Sequence, residues 1–251
     1  MIKYYTRACN FIYGHRANQL IREKRALPLC GNKYIAFSGI EVFERKNKKI
    51  KKKFLDIKKI KKLNKIEKKK VLKDIKKISV KRKNFLKNVN FKNPSIMGIL
   101  NLTPDSFSDG GKFNKFNKSI GQISQMIESG ANIIDLGGES TRPGSKTIDP
   151  KTEWRRLEKV LKIFKKKFKQ TCLSIDTRKS MIMDKSIKFG ADLINDVSGF
   201  DYDSDSLLKL KDKNISKVLH HMQGTPNTMQ NNPKYQNVLL DIYDYFENGI
   251  N

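Results

Sequence analysis

The chain has 251 residues, enough for one or two domains with a buried core, and its 53 Lys and Arg against 25 Asp and Glu leave a formal charge of +28. Three widely spaced cysteines (Cys9, Cys30, Cys172), with no CxxC or Cys/His cluster, argue against a disulfide framework and a structural zinc. No apolar run approaches the roughly 18 residues of a membrane span, and the N-terminus lacks the apolar core of a signal peptide, so a cytoplasmic protein off the membrane is expected.

Residues 1–45 read as an N-terminal extension of mixed composition. Turn signals stand at Pro28 and at Gly31-Asn32, and short strands are expected around Lys33–Phe37 and Ile40–Phe43. No catalytic constellation is visible there. The next zone, 46–93, reads as a basic helical linker. Its residues 46–92 hold 22 Lys or Arg against 3 Asp or Glu. Apolar residues recur at Ile57, Ile60, Leu63, Ile66, Val71, Ile75 and Ile78, spacings that suit an amphipathic helix with a narrow apolar stripe. Nucleic-acid binding is the rival reading, since such a segment attracts phosphate. The segment lacks interleaved aromatics and any recognised module, and Lys, Ile and Asn are what an A+T-rich genome encodes, so a solvated linker is preferred.

From Pro94 to the end the pattern changes. Strands are expected at Ile96–Leu100, Ile133–Leu136, Cys172–Ile175, Leu193–Asn195 and Ser216–Leu219. Helices are expected at Lys118–Glu128, Thr152–Phe168, Ser180–Phe189, Ser204–Lys211 and Tyr235–Phe246. Five β-then-α units in a row predict a parallel α/β sheet. A (β/α)8 TIM-barrel type fits, and a doubly wound sheet remains open on pattern alone.

Polar groups cluster just after each strand, where such folds place their chemistry. The first is followed by Asn101, Thr103, Asp105, Ser108 and Asp109. The second carries Asp135, Glu139, Ser140, Thr141 and Arg142, the third Asp176, Thr177 and Arg178, the fourth Asn195 and Asp196, and the fifth His220, His221, Met222 and Gln223. Any one of these can be a helix cap or turn former. Five consecutive units ending this way point to a ligand site. Carboxylate and amide pairs such as Asp176 and Asn195 can recognise a heterocycle, Asn101 can offer an amide oxygen to a hard cation, and Arg142 with Thr141 can hold phosphate. No nucleophile–base pair, Walker loop or HExxH is present.

The stretches IMGILNLTPDSFSDGG (96–111), GANIIDLGGESTRPGS (130–145), SIDTRK (174–179), GADLINDVSG (190–199) and HMQGTPNTMQ (221–230) together resemble the dihydropteroate synthase family, over residues 94–251. The resemblance implies a (β/α)8 barrel. It also implies a transferase of folate biosynthesis that joins p-aminobenzoate to 6-hydroxymethyl-7,8-dihydropterin diphosphate, with magnesium assisting departure of diphosphate. It implies that Asn101 contacts the magnesium–diphosphate and that Asp135, Asp176 and Asn195 read the pterin edge. Thr141 and Arg142 would serve the diphosphate and p-aminobenzoate. Phe107 and Asp109 would close over the reacting cation and the aniline, Met222 would line the pterin pocket, and His221 would sit near the diphosphate. The family's homodimer is a further implication. The family's sixth, seventh and eighth units, with an Asp-Pro-Gly segment, a pterin-contacting Lys and an Arg-x-His pair, have no counterpart here. The expectation is a fragment or short product, inactive alone, with a non-catalytic paralogue as the alternative. The TPDSF and ESTRPG segments speak against a pterin-dependent methyltransferase.

Overall fold

A computed structural model describes residues 2–86, 88–103, 112–140 and 145–250. The chain forms two compact units, Met1–Lys83 and Asn84–Asn251. Among the described residues no helix is long and apolar enough to cross a membrane.

The first unit is an antiparallel sheet with helices. Strand β1 (Ile2–Tyr13) leads into helix α1 (Gly14–Arg22). Strands β2 (Leu27–Leu29), β3 (Asn32–Lys46) and β4 (Lys49–Asp56) follow, then a 3-10 turn (Ile57–Lys62) and helix α2 (Lys65–Ser79). β3 pairs with β1, β2 and β4. The two short strands expected around Lys33–Phe37 and Ile40–Phe43 are one long strand. The helix expected through the basic zone occupies only Lys65–Ser79, because Lys49–Asp56 pairs with β3 from Lys46↔Lys49 to Gly39↔Asp56. Lysines on a strand that pairs on one side carry no β signal of their own and are a common protection of a sheet edge. The expected boundary near 45 is therefore crossed by a hairpin.

Helix α2 docks through Val71 and Ile75 onto Phe37, Ile40 and Val42. Asn64 caps it, accepting from the Glu67 amide at 3.0 Å. Its two acids lie on the buried side. Lys53 meets Glu67 at 2.7 Å, and Asp74 accepts from Thr6 Oγ1 at 2.9 Å and Lys70 at 2.8 Å. Apart from the half-buried Lys68 and Lys70, its lysines are exposed to solvent, which eases the repulsion among them.

The second unit follows the expected βα alternation. Strands β5 (Ile96–Asn101), β6 (Ala131–Gly137), β7 (Cys172–Asp176), β8 (Leu193–Asp196) and β9 (Ser216–Leu219) alternate with helices α3 (Lys112–Glu128), α4 (Pro150–Lys167), α5 (Ser180–Lys188), α6 (Ser206–Leu210) and α7 (Val238–Ile250). The strands are parallel and lie in chain order, β5-β6-β7-β8-β9. A doubly wound sheet reverses its order at a switch point, so this order is that of (β/α)8 barrel winding, and the unit is the first five βα units of that architecture.

One face of the sheet is the core. Leu100, Ile134, Leu136, Leu173, Ile175 and Ile194 pack with Ile123, Leu157, Leu161, Phe164, Ile182 and Met183 of the helices. The alternate residues share the other face, because side chains alternate along a strand. At its lower end Ile133 and Cys172 pack on Val89. Further up come Asp135 and Ser174, and at the C-terminal ends the register aligns Asn101, Gly137, Asp176 and Asn195.

Candidate active site

The aligned row at the strand ends is the candidate site. β6 contributes a bare glycine between two functional neighbours. A Cβ on Gly137 would lie 2.9 Å from Asn101 Oδ1 and 3.6 Å from Asp176 Oδ2. Asn101 and Asp176 thus reach over a backbone that only glycine leaves open. The Leu102 amide donates to the Gly137 carbonyl at 2.7 Å and carries the β5–β6 pairing one residue past Asn101.

One layer below, Asp135 is buried, accepting from Ser174 Oγ at 2.5 Å and from Asn195 Nδ2 at 3.1 Å. Burial raises its pKa, opposed by those two hydrogen bonds. Asn195 turns its amide nitrogen to Asp135, and its side-chain carbonyl oxygen accepts no hydrogen bond from any described residue. The carboxyl of Asp176 accepts no hydrogen bond from any described residue. Its pKa is pushed up to about 7, chiefly by burial, then by the neighbouring charges of Asp135, Glu153, Asp196 and Glu139. The row is therefore rich in acceptors and poor in donors, with one carboxyl able to hold or release a proton near neutrality.

The remaining strand-end residues sort themselves. Asp196 turns back on its own loop, accepting from Ser198 N, Ser198 Oγ and Phe200 N at 2.7, 2.6 and 3.1 Å, and is a turn former. Glu139, Thr177 and Arg178 are engaged with one another and with Glu153 and Lys179 in a buried cluster. Arg178 Nη2 meets Glu139 Oε2 at 2.8 Å. Lys179 Nζ bridges Glu139 at 2.9 Å and Glu153 at 2.6 Å, and Thr177 Oγ1 donates to Glu153 Oε1 at 2.6 Å. Nothing in the local sequence marks Glu153 and Lys179 as members. The one hint is an acid among the buried residues of an amphipathic helix, beside Trp154 and Leu157.

His221 lies in an aromatic nest. Its ring is 4.6 Å from that of Tyr245 and 5.9 Å from that of Tyr235, and its Nε2 is 3.0 Å from the Tyr235 hydroxyl. Nδ1 is buried and has no hydrogen-bond partner among the described residues. The hydrogen bond and ring contacts of His221 go to Tyr235, Tyr245 and Phe246 and not to Asn101, Asp135, Asp176 or Asn195, and Met222 beside it is half-buried. Phe107, Asp109, Thr141 and Arg142, with Asp105 and Ser108, lie outside the described residues. The structure thus brings together four of the predicted residues: Asn101, Asp135, Asp176 and Asn195. Among the described residues no group of three or more His, Cys, Asp or Glu could hold a metal ion.

A sequentially wound parallel sheet with an amide–carboxylate row at its C-terminal ends defines a barrel-type small-molecule site. The family described as Pterin binding enzyme matches residues 97–251, and the chain belongs to it. Over 160 residues it is 39% identical to the dihydropteroate synthase of Haemophilus influenzae, covering 63% of this chain and 57% of that protein. Over 156 residues it is 42% identical to that of Neisseria meningitidis, covering 61% and 54%. The chain thus spans somewhat more than half the length of the curated relatives it matches. A solved structure of the Yersinia pestis dihydropteroate synthase in complex with a sulfonamide drug aligns with a TM-score of 0.59 at 37% identity, covering 64% of this chain and 58% of that one. The Xanthomonas albilineans enzyme solved with 4-aminobenzoic acid aligns with a TM-score of 0.58 at 33% identity, covering 64% and 56%.

Proposed function

We propose that the second unit is the pterin-binding part of a dihydropteroate synthase. The reaction condenses p-aminobenzoate with 6-hydroxymethyl-7,8-dihydropterin diphosphate, giving 7,8-dihydropteroate and diphosphate. The observation that carries the reading is the Asp135–Asn195–Asp176 group on three adjacent strands. Asn195 presents its carbonyl and Asp176 its carboxyl, acceptors that match the amino and ring N–H groups along one edge of a pterin. Asp135 holds Asn195 in that orientation.

In the reaction the bond between the pterin methylene and the diphosphate oxygen breaks. The aniline nitrogen forms the new C–N bond and loses a proton. No protein nucleophile is required. The chain positions the two substrates and stabilises charge. Asn101 fits a magnesium site, because a hard cation that keeps its waters and binds substrate phosphate needs few protein oxygens. Bound there, magnesium would offset the charge developing on the leaving diphosphate. In this reading Thr141 and Arg142 serve the diphosphate and p-aminobenzoate, Phe107 and Asp109 close over the reacting centre, Met222 walls the pterin pocket, and His221 stands toward the diphosphate. Work in the cytoplasm belongs to the same proposal.

The test is calorimetric titration of the purified chain with 6-hydroxymethylpterin. Asp176→Ala is expected to weaken binding by about a hundredfold, the loss of one or two hydrogen bonds to a charged group. Equal affinity in wild type and variant would overturn the reading.

A further inference from the structure

Asp176 presents a carboxyl that no described residue holds by a hydrogen bond, so its placement depends on the backbone after it. That backbone is tied down residue by residue. The Thr177 amide donates to the Asn195 carbonyl at 3.0 Å, and Thr177 Oγ1 to Glu153 Oε1 at 2.6 Å. Arg178 pairs with Glu139 and stacks 4.1 Å from the Tyr202 ring centroid. Lys179 Nζ spans Glu139 and Glu153, and the Ser180 amide donates to Asp203 Oδ2 at 2.8 Å. Segments after a strand usually run over the surface, yet Thr177, Arg178 and Lys179 are only 2%, 4% and 3% exposed.

The charges balance, two acids against two bases, and all four carboxylate oxygens of Glu139 and Glu153 are used. A buried cluster of this kind is a poor way to gain stability, since apolar residues of like volume do as well or better. What a fully satisfied network supplies is a fixed geometry. Gly138 points the same way. A Cβ there would lie 2.9 Å from Glu153 Cγ, so the backbone makes room for the acid at the centre of the cluster.

We propose that Thr177, through Glu153 and the Lys179 bridge, is the positioning residue that sets Asp176 for the pterin. This rests on the reading of Asp176 as a pterin contact. Thr177→Val keeps the shape and removes the hydroxyl, whereas Thr177→Ser keeps the hydroxyl. With 6-hydroxymethylpterin as the probe, Thr177→Val is expected to weaken binding about tenfold and Thr177→Ser to stay within about twofold of wild type. In the ligand-free chain, amide exchange at Thr177 and Lys179 should quicken about tenfold in Thr177→Val while β6 and β8 keep their protection.

Wild-type affinity and exchange in Thr177→Val would overturn the proposal. So would a Thr177→Ser variant as impaired as Thr177→Val, which would make volume the cause. If wild type binds no pterin, the reading of the pocket falls, and the exchange arm still decides whether the hydroxyl fixes this turn. Should Thr177→Val fail to fold, Glu153→Gln keeps the shape and one acceptor. It is expected to lose pterin affinity, and wild-type affinity there would overturn the proposal.

Discussion

Two carboxylates and an amide do most of the arranging at the strand ends, and each has a different environment. Asp135 is buried but carries two hydrogen bonds, whereas Asp176 is hydrogen-bonded by no described residue and is pushed up to about 7. An unfolded Asp titrates near about 4. Between about 4 and about 7 the unfolded chain has therefore lost a proton that the folded one retains. The contribution of Asp176 to stability is full below that window and is lost as pH rises through it. Asp176→Asn is expected to have the thermal midpoint of wild type at pH 4 and a higher one at pH 8, as read by calorimetry. Equal midpoints at both pH values would refute the half-buried placement of this carboxyl without a hydrogen bond from the described residues. The native residue is thus the less stable choice above neutrality.

At the scale of elements, the basic zone shows how a weak local signal is settled by pairing. Lys49–Asp56 is a strand because β3 runs the full length beside it, and α2 is a helix because Val71 and Ile75 meet the same sheet. Repulsion among neighbouring lysines works against this helix, so its N-cap should count. Asn64→Ala removes the acceptor of the Glu67 amide. The expected cost is about 1 kcal/mol. Exchange of the α2 amides should then be about fivefold faster. Unchanged α2 protection would show that docking alone holds the helix.

Across the whole molecule the charge is divided unevenly. Met1–Lys83 carries 28 Lys or Arg against 6 Asp or Glu, a net of +22, and the other residues carry +6. Lys53, Lys52 and Lys70 have acidic partners, but six acids cannot serve 28 bases. Self-repulsion should weaken the first unit at low ionic strength, where the screening length is about 30 Å at 0.01 M and about 10 Å at 0.1 M. Amide protection of β1, β3 and α2 is expected to rise with salt over that range, and a fall would require a bound polyanion in the starting material.

The order of the five βα units, and the motif segments that mark membership of the pterin binding enzyme family, were legible in the sequence. Apolar runs, turn residues and strand-end polar groups are local signals. The same signals placed Asn101, Asp135, Asp176 and Asn195 among many strand-end polar groups, and the family resemblance singled them out. They could not show which strand-end groups face a ligand and which face each other. Glu139 meets Arg178 and Lys179 from the next unit, Glu153 joins them from a helix, and Asp196 bonds to its own loop. His221 is turned among Tyr235, Tyr245 and Phe246 by the packing of α7. Only the side-by-side register of parallel strands brings such residues within hydrogen-bond distance. The sequence alone set the order of the βα units and the candidates at their strand ends, while the tertiary structure settled which of those candidates stand side by side, because neighbouring strands are far apart in the chain.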